Sequence, residues 1–357
     1  MARKKVSILL TGVGAPGTRG TIYALKKNGE GTEVRLLGSD LKKDAVGKHW
    51  VDEFAVVPPP EADGYVDEVN RLCGRHGVDL VIPQTTRETM ALSASLKKVK
   101  VPVAVSGGSA VRRANSKYEL LKTFERLGLP HPKYFLVRSL SGLAEKARQL
   151  GYPETPVVVK PSVSFGSRGF RVLTAGSSWN RERFLTEKPS ATETTLEELE
   201  RILGRGASPD FPELLVSEYL PGPEYSVDAF VGRRAQVAIP RKREEIVNGI
   251  SFQTTLEDRK DIAKYTLGAA KDIGLRYAFG FQFKLDANGV PKVLECNPRV
   301  QGTMVASIFS GVNVIWMAVK EALGEPPASV AVKPKAATFR RFWGGVGVSD
   351  GRLIDEI

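Results

Sequence analysis

Cysteine and histidine are scarce, with two and three residues in a chain of 357. Cys73 and Cys296 stand far apart and form no metal-ligand spacing. A zinc-finger or disulfide framework is therefore excluded, and a reducing cytoplasm is the expected location. His49, His76 and His131 lie in unrelated surroundings, which gives them surface or core roles rather than a metal or triad role. Long apolar runs are also missing. Stretches such as Val101–Val105 fall far short of the ~20 residues a membrane helix needs, so no membrane partner is expected. The opening MARKKVSILLTG has only a brief apolar part followed by a glycine-rich turn, and it reads as a first β-strand rather than a targeting segment. The chain shows no arginine-rich tail and no basic run interleaved with aromatics. Its net charge of +12 therefore points to an anionic small ligand or a solvated basic surface, not to nucleic acid.

What is present has an order. Up to about Ala114, strand-like and helix-like segments alternate: Val6–Leu10, Thr21–Lys27, Glu33–Leu37, Gly64–His76, Leu80–Pro83 and Val101–Val105. That alternation predicts a parallel sheet with helices on its faces. Ser116 caps a helix through KYELLKTFERLG, with Glu119 three residues on, and Gly128 and Pro130 end it. The pattern then shifts to hairpin strands at Lys133–Val137, Val157–Lys160, Phe170–Leu173, Leu214–Glu218, Tyr225–Val231 and Ala235–Pro240. Helices are expected at Leu196–Leu203 and Glu257–Gly274. A hairpin joins Tyr277–Asp286 to Pro291–Glu295 across Ala287-Asn288-Gly289.

Four motifs carry chemistry. Gly12-Val13-Gly14-Ala15-Pro16-Gly17 follows a strand with G-x-G-x-x-G spacing, and Asp40 stands where a ribose acid could sit. A dinucleotide role and a plain strand–helix turn are both open on these residues. In VVVKPSVSFGSRGFRV, Lys160 ends an apolar strand before a small-residue loop. Gly166 and Gly169 would let that loop close on phosphate oxygens. In LLVSEYLPGPEYSVDAFV, the backbone at Glu218–Leu220 could hydrogen-bond a purine while Leu220 packs on its face, and Glu224 could hold ribose hydroxyls. An ordinary strand–turn–strand is the alternative. In FGFQFKLDANGVPKVLECNPRVQGT, Gln282 and Glu295 fall on paired strands, and alternation puts Glu295 and Asn297 on one side. Oxygen donors of that kind suit Mg²⁺. Arg299 lies two residues further on, within reach of a transferring phosphate. Arg241 and Arg243 alternate to one side beyond Ala235–Pro240, facing either a ligand anion or solvent.

Taken together, the motifs and their order resemble the ATP-grasp superfamily over roughly Val6 to Leu323, especially its branch like the carbamoyl-phosphate-synthetase large subunit, here with a single ATP-grasp unit. The resemblance implies an α/β and α+β chain. Residues 1–114 would form a Rossmann-like pre-ATP-grasp domain and 115–330 an ATP-grasp domain. That domain would divide into a lid subdomain at about 130–218 and a catalytic subdomain at about 219–330, with a C-terminal strand and tail at 331–357. It implies ATP and two Mg²⁺ ions, with Mn²⁺ as a substitute. By position, Lys117 and Lys160 would be the phosphate-side and nucleotide-side cations, and Gly166 and Ser167 would belong to the covering loop. Glu218, Tyr219 and Leu220 would form the adenine hinge, with Glu224 at the ribose. Gln282, Glu295 and Asn297 would hold metal. Arg299 would hold the γ-phosphate, with Arg241 and Arg243 as further cations. The implied activity is an ADP-forming ligation of a small carboxylate to an amine, in a homodimer or a monomer. Where carbamoyl-phosphate synthetase has an acid and a histidine after the hinge strands, this chain has Ile239-Pro240-Arg241-Lys242-Arg243. A synthetase that passes an acylphosphate to a partner, a non-catalytic ATP-binding regulator and a Rossmann oxidoreductase are the competing readings.

Overall fold

The strand Lys5–Thr11 buries every residue after Lys5, and its side chains enter two different cores. Ile8 and Leu10 join one cluster with Val34, Leu36 and Ile82. Leu9 joins the other with Leu37, Val81 and Val69. A strand buried on both faces is the signature of a parallel sheet covered by helices. The computed structural model describes residues 5–163, 168–176, 185, 192–204, 211–332 and 337–356. In it four parallel strands run in the order Glu53–Val56, Glu33–Asp40, Lys5–Thr11, Leu80–Pro83. The helices Thr18–Lys26 and Tyr65–His76 lie in the connections, as the sequence predicts.

Val101–Val105 departs from expectation. It makes only an isolated parallel bridge, Val81 to Val103. Pro102 has no N–H to extend a ladder, and only its carbonyl takes part, accepting from Val81 N–H at 2.9 Å.

The chain divides into two compact units. The first joins residues 1–115, 223–283 and 295–357. Its larger sheet has six strands in the order Pro291–Asn297, Tyr277–Leu285, Glu224–Val231, Gln236–Val247, Ile250–Leu256, Thr338–Arg340. One core serves both sheets of this unit, since Phe230, Val237 and Ile239 cluster with Ile8, Leu36 and the helix residues Ile315 and Val319. The second unit joins residues 116–222 and 284–294. It is built on a five-stranded sheet in the order Tyr134–Val137, Leu214–Glu218, Val157–Pro161, Arg171–Leu173, Glu193–Thr194. The helices Leu140–Gln149 and Leu196–Leu203 contribute Leu143, Ala147 and Leu199 to its core.

The strand expected at Ala235–Pro240 runs on to Val247 and pairs with Ile250–Leu256. The turn between them is Asn248-Gly249, both at positive φ of 50° and 76°, as a two-residue hairpin requires. That Asn-Gly pair was the available sign of the second strand. No single helix among the described residues is long and apolar enough to cross a membrane. Both cysteines are free and buried.

Phe279, Phe281 and Phe283 are fully buried, and Phe281 lies 6.0 and 6.2 Å from the other two rings. Phe281→Ala should lower the unfolding free energy by about 3–5 kcal/mol through the lost burial and the cavity left behind. Urea denaturation of the two proteins measures it.

Candidate active site

At the end of the Pro291–Asn297 strand Cys296 is buried, with Glu295 and Asn297 half-buried on either side of it, while Leu294 before them is half-buried too. Asn297 Nδ2 donates to Glu295 Oε1 at 3.2 Å. Its Oδ1 accepts from Arg299 Nη2, also at 3.2 Å. Arg299 then donates through Nε to Thr86 Oγ1 at 3.0 Å and through Nη1 to Val300 O at 2.9 Å. A polar chain therefore runs from the end of one sheet to the start of the helix that follows Leu80–Pro83 in the other. Burial makes the Arg299 guanidinium less basic than usual, while the nearby charges of Glu295 and Glu88 oppose the shift. Gln282 is half-buried on the adjoining strand.

Thr85 caps the helix Thr86–Ala94, and Glu88 reaches back to complete the capping box. Its Oε2 accepts from Thr85 N at 3.2 Å and from Thr85 Oγ1 at 2.9 Å. The same carboxylate lies against the glycine turn, and a methyl group at Gly12 would stand 2.5 Å from Oε2. Gly12 also has a φ of 64°, so only glycine fits there without strain. Burial pushes the Glu88 carboxyl up to about 7, opposed by the hydrogen bonds from Thr85 and assisted by the charge of Asp40.

The glycine turn is not set for a diphosphate. Gly14 N–H already donates to Asp40 Oδ2 at 2.8 Å, and Lys42 N–H donates to Oδ1 at 3.0 Å. With Asp40 occupied in this way and Glu88 beside Gly12, two carboxylates would repel phosphate. This removes the dinucleotide reading of Gly12–Gly17 and Asp40, and with it the oxidoreductase.

Arg241 is 1% exposed and Asp228 is fully buried. They are joined by two bonds, Nε to Oδ2 at 2.9 Å and Nη2 to Oδ1 at 3.1 Å. Nη2 also donates to Gln301 Oε1 at 3.3 Å. The guanidinium expected to meet a ligand is thus committed inside the protein. Arg243 likewise pairs with Glu224, donates to Ser251 Oγ at 2.8 Å and donates to Gly249 O at 2.7 Å. Sequence reasoning missed Gln301 and Arg341. Arg341 donates through Nη2 to Gly302 O at 2.9 Å and through Nη1 to Pro16 O at 3.3 Å. Burial, then the neighbouring Arg241, lowers its pKa.

In the second unit, Lys160 is 8% exposed, and its Nζ donates to Leu294 O at 3.3 Å. Lys117 is equally buried, and its backbone N–H donates to Ser162 O at 2.9 Å, two residues beyond Lys160. Glu218 pairs with Lys292. Tyr219 is 39% exposed with Lys284 Nζ 5.6 Å from its ring centre, and Leu220 is buried. Gly166 and Ser167 lie outside the described residues.

For metal, the oxygens on offer are the Glu295 carboxylate, whose Oε1 accepts from Asn297 Nδ2, and the Asn297 amide oxygen, which accepts from Arg299, a hard-oxygen set suited to Mg²⁺. Among the described residues no group of three or more His, Cys, Asp or Glu forms a metal cluster. Amide and phosphate oxygens would complete such a shell.

Residues 210–341 match the family model described as ATP-grasp in the biosynthetic pathway with Ter operon. The carbamoyl phosphate synthase large chain of Sulfurisphaera tokodaii is 30% identical over 263 residues, covering 69% of this chain and 23% of that one. The same protein from Pyrococcus furiosus is 26% identical over 280 residues, covering 71% and 24%. The chain thus spans about a quarter of the length of these relatives. Among solved structures, N5-carboxyaminoimidazole synthetase from Staphylococcus aureus complexed with ADP has a TM-score of 0.69 at 15% identity, over 93% of this chain and 81% of that one. The L-amino acid ligase from Bacillus licheniformis has a TM-score of 0.63 at 15% identity, over 92% and 76%. These structural likenesses show the ATP-grasp fold.

Two predictions follow from the buried charges. Asp228→Asn leaves Arg241 charged and unpaired, and should cost about 3–5 kcal/mol of stability. Replacing both residues by apolar ones of similar volume should cost less, and urea melts of the single and double variants compare the two. Glu88 should make stability fall with pH. Its carboxyl is protonated in both states below about 4.5, but between there and about 7 only the unfolded chain gives up the proton readily. The loss, on the order of 3 kcal/mol by linkage, should level off above pH 7 and be absent in Glu88→Gln. Melts of both proteins from pH 4.5 to 8 test it.

Proposed function

We propose that this chain, which carries an ATP-grasp domain and is related to carbamoyl phosphate synthase large chains, is an ATP-dependent carboxylate–amine ligase. The observation that carries the reading is the hydrogen-bonded run Glu295–Asn297–Arg299–Thr86. It ties candidate metal and phosphate ligands to the C-terminal end of a parallel strand, where α/β sheets bind substrates. We assign Glu218, Tyr219 and Leu220 to the adenine and Glu224 to the ribose. Lys117 and Lys160 are assigned to the phosphates, with Gly166 and Ser167 covering them. Gln282, Glu295 and Asn297 would hold Mg²⁺, which supplies positive charge to phosphate oxygens when bound.

In the first step a carboxylate oxygen of the acceptor attacks the γ-phosphorus. The β–γ bridging P–O bond breaks, and ADP leaves with that electron pair. In the second step the amine lone pair attacks the acyl carbon. Phosphate departs and the nitrogen gives up a proton. No covalent enzyme nucleophile is needed, so the chain acts by alignment and charge. Arg299 is suited to the transferring phosphoryl group, because Thr86, Val300 and Asn297 fix its orientation before the substrate arrives. Arg241 serves here through Gln301, whose side chain it holds in place. Arg243 serves through Glu224.

A second reading draws on the carbamoyl phosphate synthase relatives: an acylphosphate-forming synthetase that hands its product to a partner. ADP release with a carboxylate and no amine would favour it. A screen for ADP release over small carboxylates, with and without amines, separates the two. Absence of ADP with every acceptor would leave an ATP-binding regulator instead.

Glu295→Gln removes a full charge with almost no change of shape. It should lower kcat by ~100-fold or more, the scale of one electrostatic element at a transferring group, while ATP still binds. Steady-state ADP release at saturating Mg²⁺ and nucleotide binding by calorimetry read the two effects. Near-wild-type turnover would remove the metal assignment.

A further inference from the structure

Opposite charges meet at the first turn of the helix Thr86–Ala94 without pairing with each other. Arg299 is anchored on Thr86 Oγ1 at 3.0 Å. The Glu88 carboxylate, 5% exposed, is folded back onto Thr85 and against Gly12. Thr85 and Thr86 are neighbours, so their Cα atoms stand about 3.8 Å apart, and the two charges are held on adjacent anchors. Each feels the other's field, yet no ion pair joins them among the described residues. Three bonds hold the guanidinium, which among the described residues leaves two of its five N–H donors for a ligand. Just before that helix, Gln84 is 4% exposed and accepts from Thr21 Oγ1 at 3.3 Å, but its Nε2 has no hydrogen-bond partner among the described residues. A buried amide donor left unmade costs about 1–3 kcal/mol, a cost that a bound acceptor oxygen removes.

We propose that the acceptor is a short amino carboxylate of the α-amino acid type, its carboxylate drawn to Arg299 and Gln84 and its ammonium to Glu88. The inference rests on the ligase reading for which carboxylate reacts, but the recognition itself needs no turnover. A simple carboxylate would satisfy Arg299 and leave Glu88 buried beside Asp40 with no cation to offset it. A short zwitterion places charge of the right sign at both ends. Gly12 lets the glycine turn lie directly against the Glu88 carboxylate, since a methyl group there would stand 2.5 Å from Oε2 and 2.7 Å from Thr85 Cγ2.

The test uses the full chain with ADP and Mg²⁺ present. Thermal shift and calorimetry are run with the common L-amino acids and with their des-amino counterparts, such as propionate against alanine and isocaproate against leucine. ADP release is measured on the same set with ATP. Glu88→Gln is the variant, because glutamine still completes a capping box while removing the charge. The expected result is binding and ADP release with one or a few amino acids and at least tenfold weaker response to the des-amino partners. In Glu88→Gln the ratio between the two should collapse toward one. Equal responses to both sets in the wild type, or an unchanged ratio in the variant, would overturn the inference while leaving the ligase intact. Amino acids that bind the wild type but not the variant, without any ADP release, would uphold the recognition and sink the ligase reading. No response to any amino acid in either assay overturns the inference.

Discussion

The first unit depends on one close approach of backbone to backbone. A methyl group on Gly17 would stand 2.6 Å from the Cα of Gly302. The turn after the first parallel strand and the loop after the Pro291–Asn297 strand can therefore touch only because Gly17 lacks a side chain, whereas a methyl group on Gly302 would stand 3.9 Å from the Cα of Gly17, an ordinary contact. Arg341 fastens the contact from outside, donating to Pro16 O on one side and Gly302 O on the other. With the two loops fixed together, Arg299 can reach Thr86, and Glu88 comes to lie within its field. The glycine turn that resembles a dinucleotide fingerprint thus serves as the seat for the other sheet's loop, with Asp40 filling the amide position that a phosphate would take.

Charge is distributed unevenly over this frame. Arg241 and Asp228 neutralise each other in the core, and Arg243 and Glu224 form a second, partly buried pair. Such pairs add little net stability over apolar packing, but they are costly to break. They fix the side-chain positions of the long strand Gln236–Val247 across the face where Gln301 sits. Arg299 and Glu88 are different. Each is hydrogen-bonded to neutral groups, and among the described residues neither has an ion-pair partner of its own. A site that must accept and release charged small molecules needs charges of this second kind. A guanidinium already tied to a buried carboxylate has little to offer a substrate.

Several features were legible in the sequence because they depend on local pattern. The strand Leu80–Pro83 and the helix Leu196–Leu203 are read from apolar spacing and punctuation alone, and the structure has them at the same bounds. The alternation that sets Glu295 and Asn297 on one side of Cys296 is a period-two property of any strand. The Asn248-Gly249 turn was equally local, yet its strand was not anticipated. The expected strand ended at Pro240, although Arg241 and Arg243 alternate to one side as a continuing strand requires.

What the sequence by itself determined was the order of elements, the two sheet types and the set of oxygen and cationic side chains around the Glu295–Arg299 segment. These follow from short-range sterics and burial, which operate within a dozen residues. The tertiary structure alone decided which charges are spent. Arg241 finds Asp228 across a strand pair, Arg299 finds Thr86 more than two hundred residues away, and Glu88 comes to rest on Gly12. Each depends on a long-range approach whose partner no spacing rule names. Arg341, distant in the chain from every motif, was placed beside Gly302 only by the edge strand Thr338–Arg340 pairing onto Ile250–Leu256.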